Sequence, residues 1–147
     1  MNVSAKSKYA VRALVELAER SEARPDRLVR LTDVASARGI PLQFLEQLFA
    51  SLRRAGIVHS RRGACGGFLF ARPPAEVTVL EVVEVLDGLV SPAVCTQGEC
   101  ERIEECGPAV VWLEAKEALE RVLRETTIAD LAERERSRMP HEAMYYI

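Results

Sequence analysis

Apolar residues recur at helical spacing along most of this chain and in strand-like runs in one short stretch. Within residues 4–20, Ala10, Leu14, Leu17 and Ala18 share one helical face, and Val11 and Val15 widen it, which predicts a core helix. Residues 21–30 contain Pro25 and many charges and predict an exposed connection. A short helix then reaches about Arg38. Thr32 or Asp33 caps it, because a side-chain oxygen there satisfies orphaned amides, and Gly39 stops it. Pro41 opens the next helix, which carries Leu42, Leu45, Leu48, Phe49 and Leu52 on one face, runs to about Ala55 and ends at Gly56. Two helices joined by a short Gly-containing turn match a helix-turn-helix, and taken alone they match an ordinary helical hairpin equally well.

The next stretch separates those two readings. Ile57 and Val58, then Phe68, Leu69 and Phe70, are strand-like runs on either side of HSRRGACGG, so a hairpin with a basic tip is expected. A hairpin wing placed directly after a recognition helix can lay arginines along a nucleic-acid backbone or in a narrow minor groove, and Arg61 and Arg62 are the candidates. Further on, Thr78 and Glu81 form a capping box for a helix that ends near Asp87 and Gly88. A cysteine-bearing stretch at residues 94–107 follows, and Pro108 opens a long helix to about Glu125. Ala109, Trp112, Ala115, Leu119 and Val122 lie on its broad apolar face, beside Val111, Ala118 and Leu123. Thr127, with Asp130 three residues on, caps a last short helix through about Arg136, and the tail SRMPHEAMYYI is expected to order only against a partner.

Charge distribution sharpens the picture more than composition does. At 147 residues and 48% hydrophobic, the chain suits a globular domain that needs no disulfide staples. Its net charge of −2 conceals an asymmetry: residues 1–72 hold 13 Lys and Arg against 6 Asp and Glu, and residues 73–147 hold 7 against 16. The first part therefore suits a polyanion, although charge runs are also ordinary solvated faces. The N-terminal residues lack the pattern of a secretory leader, and no segment has the roughly 18 apolar residues of a membrane span, so a cytoplasmic location with no membrane partner is expected. No Ser-His-Asp set, phosphate-binding Gly loop or His-Glu metal motif is present, and there are only two histidines, which argues against an enzyme.

Three of the four cysteines, Cys95, Cys100 and Cys106, fall within twelve residues, spaced by four and then five residues. In a cytosolic chain this clustering points to metal or redox chemistry before structural disulfides. Thiolates there suit an iron–sulfur cluster, a zinc site or a thiol–disulfide switch, whereas filling an apolar core would need apolar neighbours. Cys65 in the wing reads as incidental, and a lone His59 beside a strand reads as structural.

SKYAVRALVELA at residues 7–18, LQFLEQLFASLRRAGIV at residues 42–58 and RRGACGGFLFARP at residues 61–73 together resemble the winged-helix regulators of the IscR and NsrR group, the Rrf-two family. The resemblance extends over TVLEVVEVLDG and the cysteine loop. It implies a mainly α fold with a small β-hairpin wing: a winged helix-turn-helix region at 1–74, a linker helix and cysteine cluster loop at 75–107, dimerisation helices at 108–136 and a flexible tail at 137–147. It further implies a homodimer that binds a pseudo-palindromic operator in double-stranded DNA. Base-reading positions carry over to Gln43, Glu46 and Gln47, whose side chains suit adenine and the cytosine amino group. The wing contact carries over to Arg62; Arg61, Arg53 and Arg54 suit phosphates by chemistry. Cys95, Cys100 and Cys106 match the three cysteines that hold a 2Fe-2S or 4Fe-4S cluster in the family, with zinc as the alternative and an iron–sulfur carrier as the competing role. The first gap is tighter than the usual pattern, and the fourth ligand is open. Ala109 stands where some relatives have His, and Lys8 and Arg12 stand where others have acids or His, leaving Glu99, Glu104, Glu105, His141 or a small exogenous ligand.

Overall fold

The computed structural model describes residues 3–98 and 100–145, with side chains through residue 138. Helix α1 (Ala5–Ala23) starts where the Ser4 hydroxyl accepts the Ser7 amide, and it buries Ala10, Leu14, Leu17 and Ala18, as their spacing requires. Helix α2 (Leu31–Arg38) starts one step earlier than expected. Its cap is the extended residue Arg30, with no side-chain cap bond, and Asp33 sits inside the first turn. The reason is tertiary. Val29 pairs in both directions with Phe68, at 3.0 and 2.8 Å, and so holds the preceding backbone extended up to Arg30. Gly39, at φ 61°, ends α2 in a left-handed conformation, and helix α3 (Leu42–Arg54) follows Pro41.

Strands β1 (Val58–Arg61) and β2 (Gly67–Phe70) form an antiparallel hairpin that pairs Val58 with Phe70, His59 with Leu69, Ser60 with Phe68 and Arg61 with Gly67. Because paired residues share a face, Ser60 and Phe68 look toward α3, where Phe68 meets Phe49 edge to face at 5.0 Å. His59, Leu69 and Arg61 take the outer face by the same alternation.

Helix α4 (Val79–Asp87) is capped by Thr78, whose hydroxyl accepts the Glu81 amide at 3.2 Å. Only that half of the expected capping box forms, since the Glu81 carboxylate pairs with Arg72 instead. Helix α5 (Ala109–Glu125) rests on α4 through a small core of Leu80, Val83 and Val90 joined by Leu119 and Leu123. Thr127 and Asp130 cap helix α6 (Ile128–Tyr145) reciprocally, at 3.1 and 2.9 Å. This helix continues past residue 136, where the sequence placed its end. Ile128 and Ala132 enter the main core with Leu14, Leu17, Leu45, Phe49, Leu52, Ile57 and Val58, so the chain returns to pack on its own beginning. Among the described residues, no helix is long and apolar enough to cross a membrane.

Arg38 fixes α2 within this arrangement. Its guanidinium reaches Glu16 at 2.8 Å and Glu19 at 3.2 Å on α1, and Glu135 at 2.8 Å on α6. Burial disfavours its charge, but the bonds it donates to Glu135 and Glu16 outweigh that and hold its pKa above the ordinary value. Glu19, held among Arg38 and two other carboxylates, has its pKa raised, chiefly by burial.

Candidate nucleic-acid interface

Helix α3 is strongly two-sided. Leu45, Leu48, Phe49 and Leu52 are buried, and Gln43, Glu46 and Gln47 are exposed on the opposite side. Leu42, expected on the core face, is exposed instead and borders the groove in front of the helix. That groove, about 780 Å³, runs between α3 and the wing. Glu46 and Arg53 line it from the helix, Arg62 and Gly63 from the hairpin tip, and Arg30 and Thr32 from the start of α2. One carboxylate among three arginines gives the groove a positive balance, which favours a polyanion.

The arginines of the sequence reading separate into distinct settings. Arg62 faces the α3 groove. Arg61 lies at the end of β1 and lines a different cleft on the outer side of the wing. Arg53 donates to the Ser60 hydroxyl at 2.9 Å, tying α3 to β1, and Arg54 donates to Ser51 at 3.1 Å within its own helix. Both remain exposed, so their remaining N–H groups face solvent. Arg30 was not singled out from sequence. It donates to the Ala64 carbonyl at 2.8 Å and so pins the wing tip to the start of α2. The only local hint was an arginine just before a helix; its partner depends on the long-range pairing of Val29 with Phe68.

Two glycines give the wing its shape. A Cβ on Gly66 would stand 2.3 Å from the Arg61 carbonyl oxygen, and one on Gly67 would stand 2.5 Å from that of Val29. Both positions therefore need a residue without a side chain, since these close approaches are backbone to backbone.

The cysteine loop lies on the acidic side of the chain, between α4 and α5. Cys95 sits in a short 3-10 turn, Val94–Gln97, and is half-buried, as is Cys100; Cys106 is exposed just after a second turn, Ile103–Glu105. All four cysteines are free thiols. Among the described residues, no three His, Cys, Asp or Glu side chains converge at metal-binding distance. Glu104 and Glu105 are exposed, while Glu99 and the side chain of His141 lie outside the described residues. The donors nonetheless fit an iron–sulfur cluster chemically, being three thiols on one loop with no disulfide among them. Lys116 donates to the Thr96 carbonyl at 3.1 Å, and the Ala109 amide donates to the Cys106 backbone carbonyl at 2.9 Å, joining the loop to α5.

Comparison with known proteins agrees with this architecture. The family model Rrf2, described as "Iron-dependent Transcriptional regulator", matches residues 3–134. IscR of Escherichia coli (strain K12 / DH10B), an HTH-type transcriptional regulator, is 35% identical over 132 residues, covering 89% of this chain and 80% of IscR. Among solved structures, CymR, the global cysteine regulator of B. subtilis, matches with a TM-score of 0.75 at 30% identity, over 90% of this chain and 97% of CymR. The IscR of T. potens matches with a TM-score of 0.70 at 32% identity, over 92% of this chain and 88% of that one. These relatives are transcriptional regulators rather than enzymes, and the chain belongs with them as a DNA-binding transcriptional regulator of the Rrf2 family.

Proposed function

We propose that the chain is a homodimeric regulator that reads a pseudo-palindromic operator with α3 and is controlled through Cys95, Cys100 and Cys106. The observation that carries this reading is the groove in which the exposed face of α3 meets the Arg62-bearing wing. Gln43, Glu46 and Gln47 read base edges in the major groove, because their amide and carboxylate groups complement adenine and cytosine edges. Arg62 enters the neighbouring minor groove or its backbone, while Arg53 and Arg54 bear on phosphates and set the register. Homodimerisation is supported by the exposed apolar face of α5, since a second copy would remove it from water.

The thiolates of Cys95, Cys100 and Cys106 hold an iron–sulfur cluster in this reading, supported by their donor chemistry and by the "Iron-dependent" description of the family. When bound, such a cluster supplies a redox-active and labile centre. The residues around it do the coupling. Lys116 and Ala109 join the loop to α5, and α4 joins it to the DNA-reading body, so a change in the loop bears on the spacing of two α3 helices in a dimer. Zinc or a thiol–disulfide pair on the same cysteines would act through the same connection.

A duplex enriched by the protein from a random pool tests the DNA-reading part. The enriched sequence should contain two inverted half-sites about one helical turn, or a multiple of it, apart. Gln47→Ala should cost roughly 1–3 kcal/mol on that duplex and relax base preference, whereas Arg53→Ala should weaken enriched and scrambled duplexes alike and flatten the salt dependence. A monomer protecting one asymmetric site, or equal losses on both duplexes for both variants, would reject the assignment.

A further inference from the structure

The hairpin tip divides two consecutive arginines between two surfaces. Arg62 lines the groove against α3, and Arg61 lines a separate cleft of about 530 Å³ on the outer face of the wing. Arg24 and Arg27, from the connection between α1 and α2, line the same cleft. They are brought there because Val29, two residues beyond Arg27, is paired to Phe68 of the wing. One acid, Asp26, shares the cleft with these three arginines. Among the described residues none of the three has a carboxylate within ion-pair distance, and all three are exposed.

Three arginines share this cleft with one acid, so its balance is positive, and a row of phosphates complements it. Arginine suits phosphate because its planar fork donates two parallel N–H bonds. Continuity with the α3 groove selects the source of those phosphates. Arg61 directly precedes the groove-lining Arg62 at the hairpin tip, so the outer cleft adjoins the α3 groove. A duplex carries phosphate on each strand about every 3.4 Å of its axis, beyond as well as within any half-site. A duplex that seats Arg62 and runs on past the hairpin tip would offer its flanking phosphates to Arg61, Arg27 and Arg24.

We infer that the cleft formed by Arg24, Arg27 and Arg61 is a second nucleic-acid contact, one that grips the phosphate backbone of duplex DNA flanking the sequence read by α3. This inference rests on the DNA-binding reading above and extends it outward from the half-site. It makes flanking DNA of any sequence part of the binding site.

The test compares the enriched duplex trimmed to its protected core with the same duplex extended by about one turn, about 10 bp, of random sequence on each side. Both are titrated across a salt series with the wild-type protein and with Arg24→Gln/Arg27→Gln. No side-chain hydrogen bond of the described structure involves either arginine, and an unchanged thermal midpoint verifies the fold of the variant. The wild-type protein should bind the extended duplex on the order of tenfold more tightly, with a salt slope steeper by about 0.9 for each phosphate gained. The double variant should match wild type on the trimmed duplex and lose most of the gain from the flanks. Equal affinities and slopes for the two proteins on the extended duplex would overturn the inference. So would an equal loss on both duplexes, which would place the arginines inside the core contact. Repeating the comparison on a scrambled core separates the two readings: indifference to the core sequence rejects base reading by α3, while the effect of the flanks still decides the outer cleft.

Discussion

At Gly67 a methyl group would stand 2.5 Å from the Val29 carbonyl oxygen, in the bond pair that holds the wing to the start of α2. The backbone on both sides is fixed by hydrogen bonds, so relief requires the wing to move away from Arg30. Gly67→Ala should therefore lower the unfolding free energy by about 1–3 kcal/mol, as overpacking does, and weaken DNA binding at the same time. A denaturation midpoint equal to wild type would show that the strand pair yields freely. Asp87 makes a different statement, about pH. Burial opposes its charge, but the hydroxyl and amide of Ser4 donate to it and together hold its pKa below the ordinary value. A carboxylate depressed in the folded state contributes stability above its unfolded pKa, near 3.8, and loses it as pH falls through the lower folded value. Asp87→Asn should remove that acid-limb loss and cost under about 1 kcal/mol at neutral pH, because the group is exposed. Denaturation from pH 7 down to pH 2 measures both; parallel curves for the two proteins would contradict the role given to Ser4.

At the scale of elements, α5 stands apart from the other helices. Leu119 and Leu123 face α4, while Val110, Val111 and Trp112 are 56%, 58% and 44% exposed. Trp112→Glu should shift the protein to a monomer in sedimentation, with helix content retained, since that side chain lies outside both described cores. A variant that sediments as wild type would remove α5 from the interface. Most elements were legible from local signals: the 3.6-residue spacing of Leu14 and Leu17, the stop at Gly39, and the glycines of the wing. What escaped depended on distant parts of the chain. Arg30 rather than Thr32 or Asp33 caps α2 because Val29 is a strand partner of Phe68, and nothing near residue 29 signals that. Leu42 fits the apolar period of α3 yet lines the groove rather than the core. The last helix is expected from sequence to end near Arg136, whereas α6 extends to Tyr145. Arg61 and Arg62 read as one basic tip, and their division between two clefts becomes visible only once the hairpin is folded.

At the scale of the whole molecule, the reading head and the cysteine loop are joined through shared packing rather than direct contact. The segments preceding α4 and α6 are stitched together by Val79 donating to Thr126 and Ile128 donating to Val77, both at 2.9 Å. Arg38 links α1, α2 and α6, and Lys116 links the loop to α5. The proposed DNA-reading groove thus lies in the basic half of the chain and the three-cysteine loop in the acidic half. The central claim is that these halves are energetically coupled, and the most direct test is operator affinity at fixed salt for three preparations: anaerobically reconstituted protein, the same protein stripped to free thiols, and Cys100→Ala. Iron and sulfide content are determined for each. The account predicts a 5- to 150-fold difference between the loaded and stripped forms, equivalent to about 1–3 kcal/mol of coupling, with Cys100→Ala following the stripped form because one of three thiolates is gone. Equal operator affinity in all three preparations would contradict it.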